Sequence, residues 1–114
     1  MSLPLNIFKT ITNVLSTNPV GIYTAPVGYN GVVLLAQVAN IVSDTETVTF
    51  SHQRTVSGIA VTTEIVKDFP IPAYDSASFL DGKLVVETND TLVISGSSST
   101  NLKFTGSVLE TLKW

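Results

Sequence analysis

His52 is the one histidine in the 114-residue chain, and the chain has no cysteine. General-base chemistry near neutral pH would therefore rest on this imidazole or on carboxylates. His52 lies in TVTFSHQR (47–54), where Val48, Phe50 and His52 share one face by strand alternation. A histidine on an apolar face needs only one hydrogen bond to be satisfied, and it reads as a core or interface residue. Serines are plentiful, but none stands in a G-x-S-x-G elbow beside a base. They cluster in turns, where serine bonds local backbone. Asp44 with Glu46, and Glu87 with Asp90, are the carboxylate pairs a glycosidase would need in type. Both pairs flank turn formers and read as solvated turn carboxylates. Neither offers the set of about six oxygens that calcium takes. Without thiols there is no disulfide framework and no thiolate zinc site. Gly28 and Gly31 precede a strand-like run, not a GK[ST] helix start, so they form no phosphate loop. The expectation is a chain with no catalytic, metal or cofactor site. Aromatic platforms for a sugar remain, and Tyr23, Tyr29, Tyr74 and Trp114 are the candidates. Asn89-Asp90-Thr91 matches a glycosylation sequon, which is uninformative without a secretory signal.

The elements that would position these residues read as short strands. Leu5 to Leu15 is Thr- and Ile-rich and reads as a strand or extended arm, with helical spacing as the competitor. Val20 to Thr24 is a short strand, followed by the Pro/Gly connector APVGYNG (25–31). Val32 to Val42 is the most apolar segment. Val32, Leu34, Ala36 and Val38 mark one face; Val33, Leu35, Gln37 and Ala39 mark the other. Two apolar faces predict a strand covered on both sides, one by the core and one by a neighbouring subunit. Ser57-Gly58 breaks the next run, and Thr62 to Phe69 is a further strand. Pro70 and Pro72 force an extended connection that closes an edge. Asp81 to Ser95 reads as one β-hairpin: Leu84 to Glu87, a turn at Thr88-Asn89-Asp90, and Thr91 to Ser95. GSSST (96–100) is a flexible turn before a last strand at Leu102 to Leu112. About eight short strands, with turn signals roughly every ten residues, predict an all-β fold. The expectation is a single-domain antiparallel β-sandwich, jelly-roll-like, over residues 16–114, with an N-terminal strand or arm over residues 1–15.

Charged residues make up 13% of the chain and hydrophobic ones 44%, with a net charge of −3. The charged share is about half the average for soluble domains. No Lys/Arg cluster exists, which disfavours nucleic acid as a partner. No run of about 18 apolar residues exists to cross a membrane as a helix. Residues 1–15 lack the basic start and apolar block of a secretory signal. The surplus of apolar residues needs cover, and large apolar patches mark interfaces. An assembled, homo-oligomeric protein is the expectation.

Three segments carry a resemblance. They are YTAPVGYNGVVLLAQVANI (23–41), VTFSHQ (48–53) and LDGKLVVETNDTLVISGSSS (80–99), with SVLE (107–110) closing the pattern. Their order and spacing resemble small virion structural proteins of tailed bacteriophages, of the type found in phages of cyanobacteria. The resemblance implies a β-sandwich located in the virion that binds other virion proteins, either the major capsid protein or neck and tail proteins. It implies no catalytic residues. The first reading is a non-enzymatic capsid decoration or cement protein. The alternatives are a neck, tail or baseplate/fibre accessory, and a carbohydrate-binding module using Tyr23, Tyr29 and GSSST on a host glycan. The expected interface residues are Phe8, Ile11, Tyr29, Val33, Leu35 and Trp114.

Overall fold

The computed structural model describes residues 6–113. Among them are nine strands and no helix: β1 (Asn6–Val14), β2 (Val20–Thr24), β3 (Tyr29–Asn40), β4 (Glu46–Val56), β5 (Ile59–Ile71), β6 (Ser76–Ser78), β7 (Leu84–Val86), β8 (Thr91–Gly96) and β9 (Leu102–Leu112). Every pairing is antiparallel. The first sheet runs β1-β9-β3-β6, with β7 also on β3; the second runs β2-β8-β4-β5. Strands β6 and β7 pair with successive stretches of β3, so they are two halves of one interrupted edge strand. Counting them as one leaves eight strands in two four-stranded sheets, the jelly-roll arrangement expected from the strand count.

The core lies between the sheets and explains the alternation in the sequence. Strand β3 buries Val33, Ala36 and Val38; β9 buries Leu102, Phe104 and Val108; β4 and β8 answer with Val48, Phe50, Leu92 and Ile94. Phe50 stacks between Phe79 and Phe104, with ring centroids 5.7 and 6.0 Å away. Such aromatic pairs add specific geometry to the area they bury.

Two expectations are corrected. The first concerns Leu84 to Ser95, which is not a hairpin. Strand β7 pairs with β3 in the first sheet, whereas β8 pairs with β2 and β4 in the second. The turn between them is an arch that carries the chain across the sandwich. Val86 and Leu92 therefore both face the core. The arch closes with Asp90 N–H donating to the Glu87 carbonyl at 2.9 Å, and Asn89 takes the left-handed conformation at φ 70°. Its outer bonds go to Ala25, not along a hairpin ladder: Asn89 N–H donates to the Ala25 carbonyl and Ala25 N–H to the Asp90 carbonyl. The second correction concerns the faces of β3. Its register against β9 shifts between Val33 and Leu35. A bulge exchanges the faces, so Val33 is buried with Ala36 and Val38. Strict alternation had placed Val33 with Leu35.

Strands β4 and β5 extend past the rest of their sheet. The pairing of β4 with β8 ends at Gln53–Thr91, but its pairing with β5 continues to Val56–Ile59. Ser57 and Gly58 join them with φ 53° and 78°. Positive φ at both central residues is the signature of a type I′ turn, whose twist matches a hairpin. Residues 54–64 are all exposed, so this ribbon is a finger outside the core. The finger lengthens the molecule to 50 × 29 × 23 Å and a radius of gyration of 14.7 Å. A compact chain of this length would have about 13 Å.

Candidate functional site

The groups that suggested chemistry are engaged in holding the fold. His52 Nε2 lies 3.1 Å from Asp90 Oδ2, and Arg54 Nε lies 3.1 Å from the same oxygen. Arg54 also reaches Glu87 at 2.8 Å, and the Glu87 N–H donates to Asp90 Oδ2 at 3.1 Å. Asp90 is 4% exposed, so it is a buried, hydrogen-bonded side chain and not a solvated turn carboxylate. Two cationic or polar side chains of β4 thus clamp the arch that carries the chain between sheets. Glu46 is likewise engaged: it accepts hydrogen bonds from the Ser97 and Ser98 hydroxyls, which ties the GSSST turn to β4. Asp44 is exposed and contributes a backbone carbonyl to the Asn40 amide at 2.7 Å.

A second polar group lies in the core. Glu110 on β9 is 1% exposed. The Tyr23 hydroxyl donates to its Oε2 at 2.7 Å, and Lys9 Nζ lies 3.4 Å from Oε1. Burial, reinforced by the bond to Glu110 and its charge, raises the Tyr23 pKa far above that of free tyrosine. Room for the ring comes from Gly31, where an added Cβ would lie 2.7 Å from the Tyr23 hydroxyl oxygen.

The expected interface residues separate into three groups. Tyr29 and Val33 are buried, at 9% and 1% exposure, which corrects their placement at a surface. Ile11 is half-buried on the inner face of β1, packed against the core. Phe8 and Leu35 lie on the outer face of the first sheet, Phe8 with 76% of its surface open. Trp114 lies outside the described residues. Tyr23, like Tyr29, is buried and cannot serve as a sugar platform. Tyr29 opens β3, whose next inward positions, Gly31 and Val33, are buried, and Tyr23, near the end of β2, is turned inward onto Glu110.

What strand alternation alone did not reveal is a row across the first sheet. Phe8 pairs with Leu109, Leu109 with Val32, and Val32 with Val85. Their chain neighbours Glu110, Val33 and Val86 are buried, so this row faces outward. The next positions along the face are hydroxyl-bearing: Thr10 opposite Ser107, and Thr12 opposite Thr105. The signal was present in the sequence as single apolar residues, but only the register lines them up.

The four sheet edges differ in their protection. Strand β2 is five residues long with a register shift at Gly21/Tyr23. Strands β6 and β7 have three residues each. The half of β5 nearest Ile71 is broken by register shifts and carries Pro70. Short length, bulges and proline all blunt an edge. Strand β1, in contrast, runs nine residues in unbroken register. Its one charge, Lys9, is drawn inward to Glu110. Residues 59–64 of β5 are also in continuous register with β4, with Glu64 their only charge. Among the described residues, one open edge therefore lies in each sheet.

No family model matches the chain. No curated protein matches it either. Among solved structures, a chain from the Bacillus endospore appendages, which form a family of disulfide-linked pili, is similar over 96% of this chain and 88% of its own length. The TM-score is 0.50 and the identity 18%. The likeness is one of fold. This chain has no cysteine, so the disulfide links of those pili have no counterpart in it.

Proposed function

We propose that the chain is a non-enzymatic structural subunit that joins copies of itself into a larger assembly through its sheet edges. The observation that carries this reading is the pair of unguarded edges, β1 in one sheet and residues 59–64 of β5 in the other. An exposed, regular, weakly charged edge is a template for another strand. Two different edges on one molecule make a head-to-tail joint, which forms rings or filaments. The apolar row from Phe8 to Val85 begins at the β1 edge and would be covered together with it. The fold shared with a pilus-forming protein is in keeping with this reading.

The particle we propose is the virion of a tailed phage, with the major capsid protein or neck and tail proteins as further partners. This rests on the resemblance of residues 23–41, 48–53 and 80–99. Capsid decoration is the first placement and a neck, tail or baseplate accessory the second. Quantitative mass spectrometry of purified virions tests it. A copy number tracking the major capsid protein supports decoration, a small ring-like number supports the neck or tail, and absence from particles removes the virion.

The edge reading has its own test. Thr10→Lys with Thr12→Lys charges the β1 edge, and Val61→Lys with Thr63→Lys charges the β5 edge. Sedimentation of the wild type should show polymers. Each edge variant alone should be monomeric, and the two mixed should form a dimer, since each keeps one complementary edge. Polymers of unchanged size in both variants would refute joining through these edges.

A further inference from the structure

Tyr74 is the tyrosine left open to solvent, with 73% of its surface exposed against 9% for Tyr23 and Tyr29. Its backbone has φ 57°, in the left-handed region that bulky residues rarely occupy. Glycine or asparagine would sit there with less strain. The position nevertheless holds a large ring that packs into no core. Strain maintained at an exposed side chain is a mark of a working site.

The turn that presents this ring is tied down on both sides. Tyr74 N–H donates to the Val42 carbonyl at 3.2 Å and Asp75 N–H to the Pro72 carbonyl at 3.1 Å. The Asn40 N–H donates to the Asp75 carbonyl at 2.8 Å, and Ser76 N–H to Asp75 Oδ1 at 2.8 Å. Buried Asn40 also donates its side-chain amide to the carbonyls of Asp44 and Ile71, at 2.7 and 3.0 Å. The loops before β4 and β6 are thereby locked together beneath the tyrosine. A pre-set side chain loses little freedom on binding.

Beside the ring is a shallow depression of about 430 Å³. Ile41 and Ala39 give it an apolar wall, and Gln37, Asp75 and Ser76 bring an amide, a carboxylate and a hydroxyl to its rim. We propose that this depression is a saccharide-binding site centred on Tyr74. A pyranose has an apolar C–H face that fits a tyrosine ring and a rim of hydroxyls. Each hydroxyl donates and accepts, which matches an amide and a carboxylate side by side. An anionic ligand is disfavoured, because Asp75 is the charged residue of the lining and no Lys or Arg joins it. A protein partner would want a broader apolar surface than Ile41 and Ala39 supply. The site goes beyond the assembly reading and does not depend on it.

The test uses the full chain and methyl glycosides of glucose, galactose, mannose and N-acetylglucosamine, followed by amide NMR across the millimolar range. At least one glycoside should give saturable shifts confined to Gln37, Ile41 and residues 74–76. Tyr74→Ala should weaken that binding about tenfold or more, a change of at least 1.4 kcal/mol. Tyr74→Phe should keep affinity within a few-fold, because the ring face remains. Tyr74→Gly should lose binding while raising the thermal midpoint by a few degrees, as the strained φ is relieved. A purely structural tyrosine would show no ligand effect in any variant. Absence of saturable shifts with all four glycosides, or equal affinity in Tyr74→Ala, overturns the proposal.

Discussion

The Tyr23 hydroxyl stands 2.7 Å from Glu110 Oε2, and the two residues belong to opposite sheets. A hydrogen bond from a hydroxyl to a buried carboxyl group joins the two sheets there. Removing one partner leaves the other buried without its bond, which costs more than the bond contributes. Tyr23→Phe should therefore destabilise the protein by about 1–3 kcal/mol in urea unfolding. A loss below about 0.5 kcal/mol would show that Glu110 finds another partner.

The same pair predicts an alkaline signature. The folded-state pKa of Tyr23 is raised, by burial first and by Glu110 second. The unfolded chain ionises this tyrosine near pH 10 while the folded chain keeps it protonated. The unfolded state then binds fewer protons, so stability is intact below about pH 10 and falls above it by up to about 1.4 kcal/mol per pH unit. Tyr23→Phe should flatten that fall relative to wild type. Parallel alkaline profiles for the two proteins would exclude Tyr23 as the cause.

Gly31 should be intolerant of alanine for a reason separate from backbone conformation. Its added Cβ would meet the Tyr23 hydroxyl oxygen at 2.7 Å and a ring carbon at 2.9 Å, two atoms of a wedged side chain. Overpacking of this kind costs about 1–3 kcal/mol. In a Tyr23→Leu background the cost should shrink, giving a coupling that a double-mutant cycle measures. Additive effects would place the strain elsewhere.

Asp90 and Glu87 sit three residues apart and should behave oppositely. Asp90 is buried between His52 and Arg54, whereas Glu87 pairs with Arg54 at the surface. Asp90→Ala should cost about 2–4 kcal/mol, since it strands partners in the arch. Glu87→Ala should cost at most about 1 kcal/mol and less in high salt. Equal losses would mean that the arch is not held by its buried carboxylate.

Val33 and Leu35 test the bulge in β3. Val33→Ala removes fully buried methyl groups and should cost about 1–3 kcal/mol. Leu35→Ser lies on the outer face and should stay within roughly 1 kcal/mol while weakening any assembly that covers that face. The reverse order of losses would restore simple alternation along the strand.

Much of the architecture was legible from Thr, Val and Ile content, period-two alternation and evenly spaced turns. The jelly-roll order itself was implied only by the count of strands. One stretch shows why: Leu84–Val86 and Thr91–Gly96 alternate as a hairpin would, and a polar four-residue turn, Glu87 to Asp90, joins them. Local pattern cannot tell a hairpin from an arch, because both bury alternate side chains. The difference lies in which distant strands compete for the backbone, here β3 against β2 and β4. Likewise the bulge after Val33 leaves no mark in residue types, yet it exchanges the two faces of β3. Asp90 looked like turn chemistry because its partners His52 and Arg54 are more than thirty residues away. Tyr74 was visible as an aromatic residue, but its strained backbone and the locked loop beneath it were not.

The Ser57–Gly58 turn closes a finger whose residues 55–64 are all exposed. Foreign sequence inserted there would enlarge a loop that already lies clear of the sandwich, and loop entropy rises by only about 0.6 kcal/mol for each doubling of length. The tip of the finger is thus a built-in display port: a peptide carried between Ser57 and Gly58 would project beyond the paired residues of β4 and β5, and in the proposed assembly it would be repeated once per subunit.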